Sequence, residues 1–176
     1  MIITDKNKAV DILLQQKCLG IFQGHSEWGP RALGNRSILF DARNLDAKEI
    51  VNRVKKREWW RPFAGSILLE YANNWFDLGT LKESPNMSFA VDAREIAKKM
   101  VPALVHSDGT CRIQTVTREQ NKNLYELIEE FYERTSVPII LNTSFNLAGE
   151  SIAETLEDAI SSVERSELEY IYTPQL

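Results

Sequence analysis

The sequence predicts a single α/β (α+β) domain with a twisted mixed sheet and flanking helices, and three observations carry that prediction. Apolar runs of strand length at 38–40, 66–69 and 137–141 alternate with stretches of helical periodicity, the pattern of helices packed on a sheet. Between two further apolar runs stands Asp108-Gly109, a strong hairpin signal, which requires an antiparallel pair. A length of 176 residues suits one domain with a real core and is short for two, so the unit is taken as 1–176.

Taken in order, residues 5–19 place Ala9, Val10, Leu13 and Leu14 at helical spacing, with Asp5 as N-cap and Gly20 as the stop. Ile21 and Phe22 open a strand that ends at Gly24. A loop punctuated by Gly29, Pro30 and Gly34 then leads into the strand at 38–40. Asp46 can cap a helix to about Glu58, where Ala47, Ile50, Val51 and Val54 make an i, i+3, i+4, i+7 stripe. Lys55 falls on the border of that stripe, where a lysine ordinarily snorkels, and Pro62 ends the regular continuation. A buried strand at 65–70, a helical turn at 71–76, a loop at 79–86, a strand at 87–91 and a short helix at 94–100 follow. Strands at 103–106 and 111–116 are expected to flank the Asp108-Gly109 turn. Residues 121–135 make the clearest helix, with Leu124, Leu127, Ile128 and Phe131 on one side. A buried strand at 137–141 runs into the polar stretch 142–146. Thr155 and Asp158 resemble a capping box for a last helix to about Arg165, and 170–172 can add an edge strand.

Composition bounds the function. An apolar fraction of 43% and a charged fraction of 26% are ordinary for a globular protein. No run approaches the roughly 18 apolar residues of a membrane helix, and the start lacks a signal-peptide pattern, so the expected place is the cytoplasm. Cys18 and Cys111 lie too far apart in sequence to suggest a zinc site, and with only His25 and His106 available no metal ligands are assigned. From Arg31 to Arg61 there are nine Lys and Arg against four Asp and Glu, a balance of +5 in a chain of net charge −4. That concentration suits a local site for an anion, or a solvated basic face. A pI near 5.3 argues against a general nucleic-acid binder.

Three clusters stand at element ends: Arg31 with Arg36, Lys55 with Arg57 and Arg61, and Arg112 with Gln114. If they converge they make a pocket for phosphate or carboxylate, because guanidinium forks match both and lysine adds a point charge. Asn142, Thr143, Ser144 and Asn146 supply uncharged donors, either as a polar rim to that pocket or as a turn stabilised by its own side chains. Trp59-Trp60 can stack nucleobases, although burial of one ring and half-burial of the other is the plainer expectation. No phosphate-loop, dinucleotide or nucleophile-elbow signature occurs.

Four stretches taken together resemble a known family: Glu27-Trp28-Gly29-Pro30-Arg31-Ala32-Leu33-Gly34-Asn35-Arg36; Val54-Lys55-Lys56-Arg57 with Arg61-Pro62-Phe63; His106-Ser107-Asp108-Gly109-Thr110-Cys111-Arg112-Ile113-Gln114; and Asn142-Thr143-Ser144-Phe145-Asn146. In that order they are similar to the C-terminal domain of the nodulation-protein and antibiotic-biosynthesis carbamoyltransferases, over about 20–172. The resemblance implies a YrdC-like fold whose basic concave face binds ATP, with magnesium, and carbamoyl phosphate, and forms carbamoyl-adenylate. It implies Lys55, Arg61, Arg112 and Ser144 at the catalytic centre, with Arg31, Asn142 and Asn146 as further binders of substrate and nucleotide. It also implies a separate actin-like, metal-containing domain that carries the acceptor. That domain has no counterpart in this sequence, where a leading helix at 1–19 precedes the match. His25-Ser26 stands where arginine-methionine is commoner in the family, and Gly65 and Ser151 where proline is. Two other readings stand beside this one: a nonenzymatic nucleotide- or anion-binding partner subunit, and an RNA-binding module working through 31–61.

Overall fold

The computed structural model describes residues 1–174, and among these nine strands form one mixed sheet. In chain order they are β1 Ile2–Ile3, β2 Leu19–Phe22, β3 Arg36–Phe40, β4 Ala64–Leu68, β5 Phe76–Asp77, β6 Ala90–Ala93, β7 Thr110–Val116, β8 Ile139–Ser144 and β9 Tyr170–Tyr172. The helices are α1 Lys6–Leu14, α2 Ala47–Val54, α3 Leu69–Trp75, α4 Glu95–Met100, α5 Lys122–Thr135 and α6 Leu156–Glu164, with a 3₁₀ turn at Pro102–Leu104. Across the sheet the order is β1-β9-β2-β3-β8-β4-β7-β6-β5. The pairs β1/β9, β2/β9 and β4/β7 are parallel and the rest antiparallel.

Local chemistry accounts for most boundaries. Asp5 caps α1 by accepting from the Lys8 amide at 2.7 Å, and Asn121 caps α5 by accepting from the Leu124 amide at 3.1 Å. Thr155 and Asp158 form the expected reciprocal capping box on α6. Leu124, Leu127, Ile128 and Phe131 of α5 are all buried, as are Ile67, Ile113 and Ile139 in the central strands.

Several elements differ from expectation. α1 ends at Leu14, and Gly20 is no helix stop but the second residue of β2. A Cβ at Gly20 would stand 2.5 Å from the Phe145 ring, so the glycine admits that ring against the strand. The Asp108-Gly109 turn closes as a tight loop, with the His106 amide donating to the Thr110 carbonyl at 2.7 Å, yet it joins no strand pair. Pro102 sets a 3₁₀ turn where a strand was expected, and the antiparallel partner of β7 is β6. The strand expected at 87–91 runs Ala90–Ala93. β9 lies between β1 and β2, so the edge is held by β1, which is too short to show a sequence pattern. β8 continues to Ser144, which places Asn142, Thr143 and Ser144 in the strand and not in a turn after it. α2 stops at Val54, four residues early, and Asp46 makes no side-chain cap.

Candidate functional site

The early end of α2 builds the first wall. Lys55 is the C-cap and Lys56 turns into the left-handed region at φ +54°, which swings the chain out of the helix. Asn52, buried on the last helical turn, then ties down the exit. Its Nδ2 donates to the carbonyls of Trp59 (3.0 Å) and Arg61 (3.2 Å), and its Oδ1 accepts from Arg57 Nε. The Arg57 guanidinium lies 4.4 Å from the Phe63 ring centre. Burial, with Arg61 and Arg112 nearby, pushes Arg57 down to about 10. Lys55 does not snorkel: the residue is 2% exposed. Its ammonium donates to the Ser144 carbonyl (2.5 Å), the Asn146 carbonyl (2.8 Å), Asn146 Oδ1 (2.9 Å) and Ser144 Oγ (3.3 Å). Burial first, and Arg57 second, push its pKa down to about 7.

The second wall is one face of the three central strands. Ala64 of β4 pairs with Arg112 of β7 on one side and Asn142 of β8 on the other. Arg112 and Asn142 therefore share a row, two strand spacings or about 10 Å apart. Ser66, Gln114 and Ser144 lie two residues along their strands on the same face. Ser66 Oγ donates to Gln114 Oε1 at 2.7 Å, Asn142 Nδ2 donates to Ser66 Oγ at 2.9 Å and to Gln114 Oε1 at 3.1 Å, and Gln114 Nε2 donates to the Leu33 carbonyl at 2.8 Å. Asn142 Oδ1 and Arg112 Nε are buried without a partner. Among the described residues the Arg112 guanidinium makes no hydrogen bond or ion pair, and burial together with Arg31 lowers its pKa.

The loop before β3 forms the third wall. Glu27 Oε1 accepts from the amides of Leu33 (2.7 Å), Asn35 (2.7 Å) and Arg36 (3.4 Å), which folds the loop around one carboxylate. Gly34, at φ +107°, takes a conformation open to glycine, and a Cβ there would meet Leu124 at 2.5 Å. Arg36 is a brace. It donates to the carbonyls of Gln23 (2.6 Å), Asn35 (3.0 Å), Gly24 (3.1 Å) and Glu154 (3.3 Å), and its guanidinium lies 3.7 Å from the Phe22 ring centre. Arg31, by contrast, is exposed and lines a cavity of about 540 Å³ with Trp28 and Asn86.

The basic groups form a chain of like charges: Arg57 senses Arg61 and Arg112, Arg112 senses Arg31, and Lys55 senses Arg57. Among the described residues Arg31, Arg57 and Arg112 join no ion pair, whereas exposed Arg61 pairs with Glu58 at 2.9 Å. Of the expected site residues, Lys55, Ser144 and Asn146 meet directly, Arg112 and Asn142 share the sheet face, and Arg31 and Arg61 stand at the rim. Sequence reasoning missed Asn52, Glu27 and Ser66, whose polarity is ordinary and whose role appears only through their partners. It also misplaced the tryptophans: Trp59 is 72% exposed and Trp60 58%, edge to face at 6.2 Å, and Trp28 is fully exposed. The chain leaves α2 too early to tuck either ring of the pair under the helix.

The order of the four stretches along these three walls meets its explanation in the family comparison, where residues 10–176 match the model described as Carbamoyltransferase C-terminus. The chain belongs to that family. It is 45% identical over 165 residues to nodulation protein NolNO of Sinorhizobium fredii, covering 93% of this chain and 24% of that protein. It is likewise 45% identical over 166 residues to nodulation protein NolO of Bradyrhizobium diazoefficiens, covering 93% of this chain and 30% of that protein. The carbamoyltransferase domain thus spans under a third of these relatives. Among solved structures it is similar to full-length HypF in its phosphate- and nucleotide-bound form (TM-score 0.65, 18% identity, 92% of this chain and 20% of that one). It is also similar to P. abyssi Sua5 complexed with L-threonine (TM-score 0.69, 12% identity, 98% and 49%). At such identities the likeness establishes the fold, which is YrdC/Sua5-like. Among the described residues no helix is long and apolar enough to cross a membrane, and no group of His, Cys, Asp and Glu is arranged to hold a metal.

Proposed function

We propose that this carbamoyltransferase domain binds ATP and carbamoyl phosphate in the basic cleft and forms carbamoyl-adenylate. The observation that carries the reading is the unpaired Arg112, half-buried in a row with Asn142 and within the field of Arg31 and Arg57. A guanidinium held out of water among like charges costs stability, and an anion that occupies the space between them returns it. The family, and the phosphate- and nucleotide-bound state of the HypF relative in fold, support the same choice of ligand.

In this reading the carbamoyl phosphate yields carbamate by losing phosphate to water. A carbamate oxygen then bonds to the α-phosphorus of ATP as the bond to pyrophosphate breaks. Two anions must meet in line, so the protein's work is neutralisation and positioning. Arg112 and Arg57 neutralise from below, Arg31 and Arg61 close the rim, and the Ser144 hydroxyl with the amide groups of Asn142 and Asn146 orients the uncharged end. Magnesium arrives with the nucleotide as part of the substrate. A separate actin-like domain or subunit, of the kind the much longer relatives have room for, takes the carbamoyl group to its acceptor. Incubation with ATP and carbamoyl phosphate should release pyrophosphate, dependent on both. Calorimetry that finds no binding of either ligand would sink the reading.

A further inference from the structure

The loop before β3 owes its shape to one side chain. From Glu27 the tip Trp28-Gly29-Pro30-Arg31-Ala32 runs out and returns at Leu33, and among the described residues no hydrogen bond reaches any part of that tip. Trp28, Gly29, Pro30 and Arg31 are exposed, and only the small Ala32 is buried. The returning side is fastened to the sheet and to α5. Gln114 Nε2 donates to the Leu33 carbonyl at 2.8 Å, Gln23 Nε2 to the Gly34 carbonyl at 2.7 Å, and Asn121 Nδ2 to Asn35 Oδ1 at 3.1 Å. On the outgoing side the His25 carbonyl accepts from Asn35 Nδ2 at 3.0 Å, and beyond it the tie is the Glu27 carboxylate. Its Oε1 accepts from the Leu33 and Asn35 amides, both at 2.7 Å, and among the described residues neither amide has another acceptor.

The same arrangement decides where a charge goes. Glu27 is the acid nearest to Arg31 in sequence, four residues before it, yet its carboxylate is spent on backbone amides and is sensed by Arg36. Arg31 is left without an ion pair among the described residues, and Glu27 Oε2 is buried, away from an anion's reach. We infer that Glu27 is a positioning residue: it closes the neck of the 27–35 loop and so holds Arg31 within the field of Arg112, with its guanidinium free for the anion. The inference deepens the proposed anion site and rests on that reading for its ligand. With the neck cut, the tip samples many conformations, and binding has to order them again before Arg31 can contribute.

The test uses the whole chain in two arms. In the first, without ligand, Glu27→Leu should raise amide hydrogen exchange at Leu33 and Asn35 while the α5 amides keep their protection. Unchanged exchange at those two amides overturns the inference whether or not any nucleotide binds. In the second, calorimetry gives ATP affinity for Glu27→Leu, Glu27→Gln, Arg31→Met and the two double variants. Glu27→Leu should weaken binding about tenfold, and less than about twofold on Arg31→Met, because its effect passes through that arginine. On charge alone, removing an acid near the cleft would tighten the binding of an anion, so a loss identifies position as the cause. Glu27→Gln keeps an acceptor oxygen for the amides and should lose at most about threefold. A loss that persists on Arg31→Met means that the carboxylate acts on the ligand or its magnesium directly, and overturns the inference. Should Glu27→Leu fold poorly, Glu27→Asp, which keeps the charge but falls a methylene short of the amides, replaces it in both arms. If the wild type binds no ATP, the functional reading falls, and the exchange arm alone still judges the role of Glu27.

Discussion

Arg36 and Arg112 make an instructive pair. Both guanidinium groups are withdrawn from water, both have a buried Nε without a partner, and burial lowers both pKa values. Arg36 spends its amino groups on four backbone carbonyls and its flat face on Phe22, so it joins β3 to the chain on either side. Arg112 makes no hydrogen bond or ion pair among the described residues, and the charge that weighs most on it is the like charge of Arg31. The difference separates an arginine that holds the protein from one that waits for a ligand, and the two cannot be told apart by burial or by residue type. What distinguishes them is where the N–H groups go.

The comparison can be broken most directly at its two poles. Arg36→Met should cost about 3 kcal/mol or more, because four carbonyls lose a charged donor, and urea unfolding would show it. Arg112→Met should leave that midpoint unchanged or raise it, and weaken ATP binding about tenfold to a hundredfold. If Arg112→Met destabilises the fold as much as Arg36→Met, the distinction fails. Gln114→Leu tests the ground between the poles, since Gln114 is partnered by the Leu33 carbonyl, Ser66 and Asn142 but lies on the same face of β7 as Arg112. It should cost about 2 kcal/mol in unfolding and weaken ATP binding by loosening the Arg31 loop.

Lys55 supplies a pH test. Its folded value of about 7 lies below its ordinary 10.5, so between those pH values the unfolded chain holds the extra proton. Stability from this group therefore rises with pH across that window, and Lys55→Met should remove that contribution, seen as the difference from wild type in urea midpoints measured between pH 6.5 and 10.5. The smallest effect is expected far from the cleft. Thr155→Ala, which deletes the α6 cap, should lower stability by about 1 kcal/mol and leave ATP affinity untouched, as fits a polar group whose partners are all internal.

Elements with strong local chemistry were legible. The stripe of α5, the capping box of α6 and the Asp5 cap of α1 use contacts within one or a few turns, so neighbours in sequence suffice to state them. Where distant partners decide, the reading slipped. Gly20 reads as a helix stop until Phe145 is seen lying against it, and residues 170–172 read as an edge until Ile2 and Ile3 pair outside them. The Asp108-Gly109 dipeptide fixes a turn, but Pro102 upstream decides that no strand enters it.

The site divides along the same line. The residues alone determine that positive charge gathers between Arg31 and Arg61, that Arg112 and Gln114 point the same way from one strand, and that a hydroxyl and amides follow a buried strand, because charge and strand alternation are local properties. Tertiary structure decides which of these groups remain free. Arg36 is consumed by carbonyls from 23 to 154, Lys55 by the turn after β8, and Asn52 by the exit from α2, all through contacts that only the folded chain brings within hydrogen-bonding distance. Among the described residues Arg112 stays unpaired, because its neighbours in register are Ala64 on one side and Ala90 on the other, whose methyl groups offer it no acceptor.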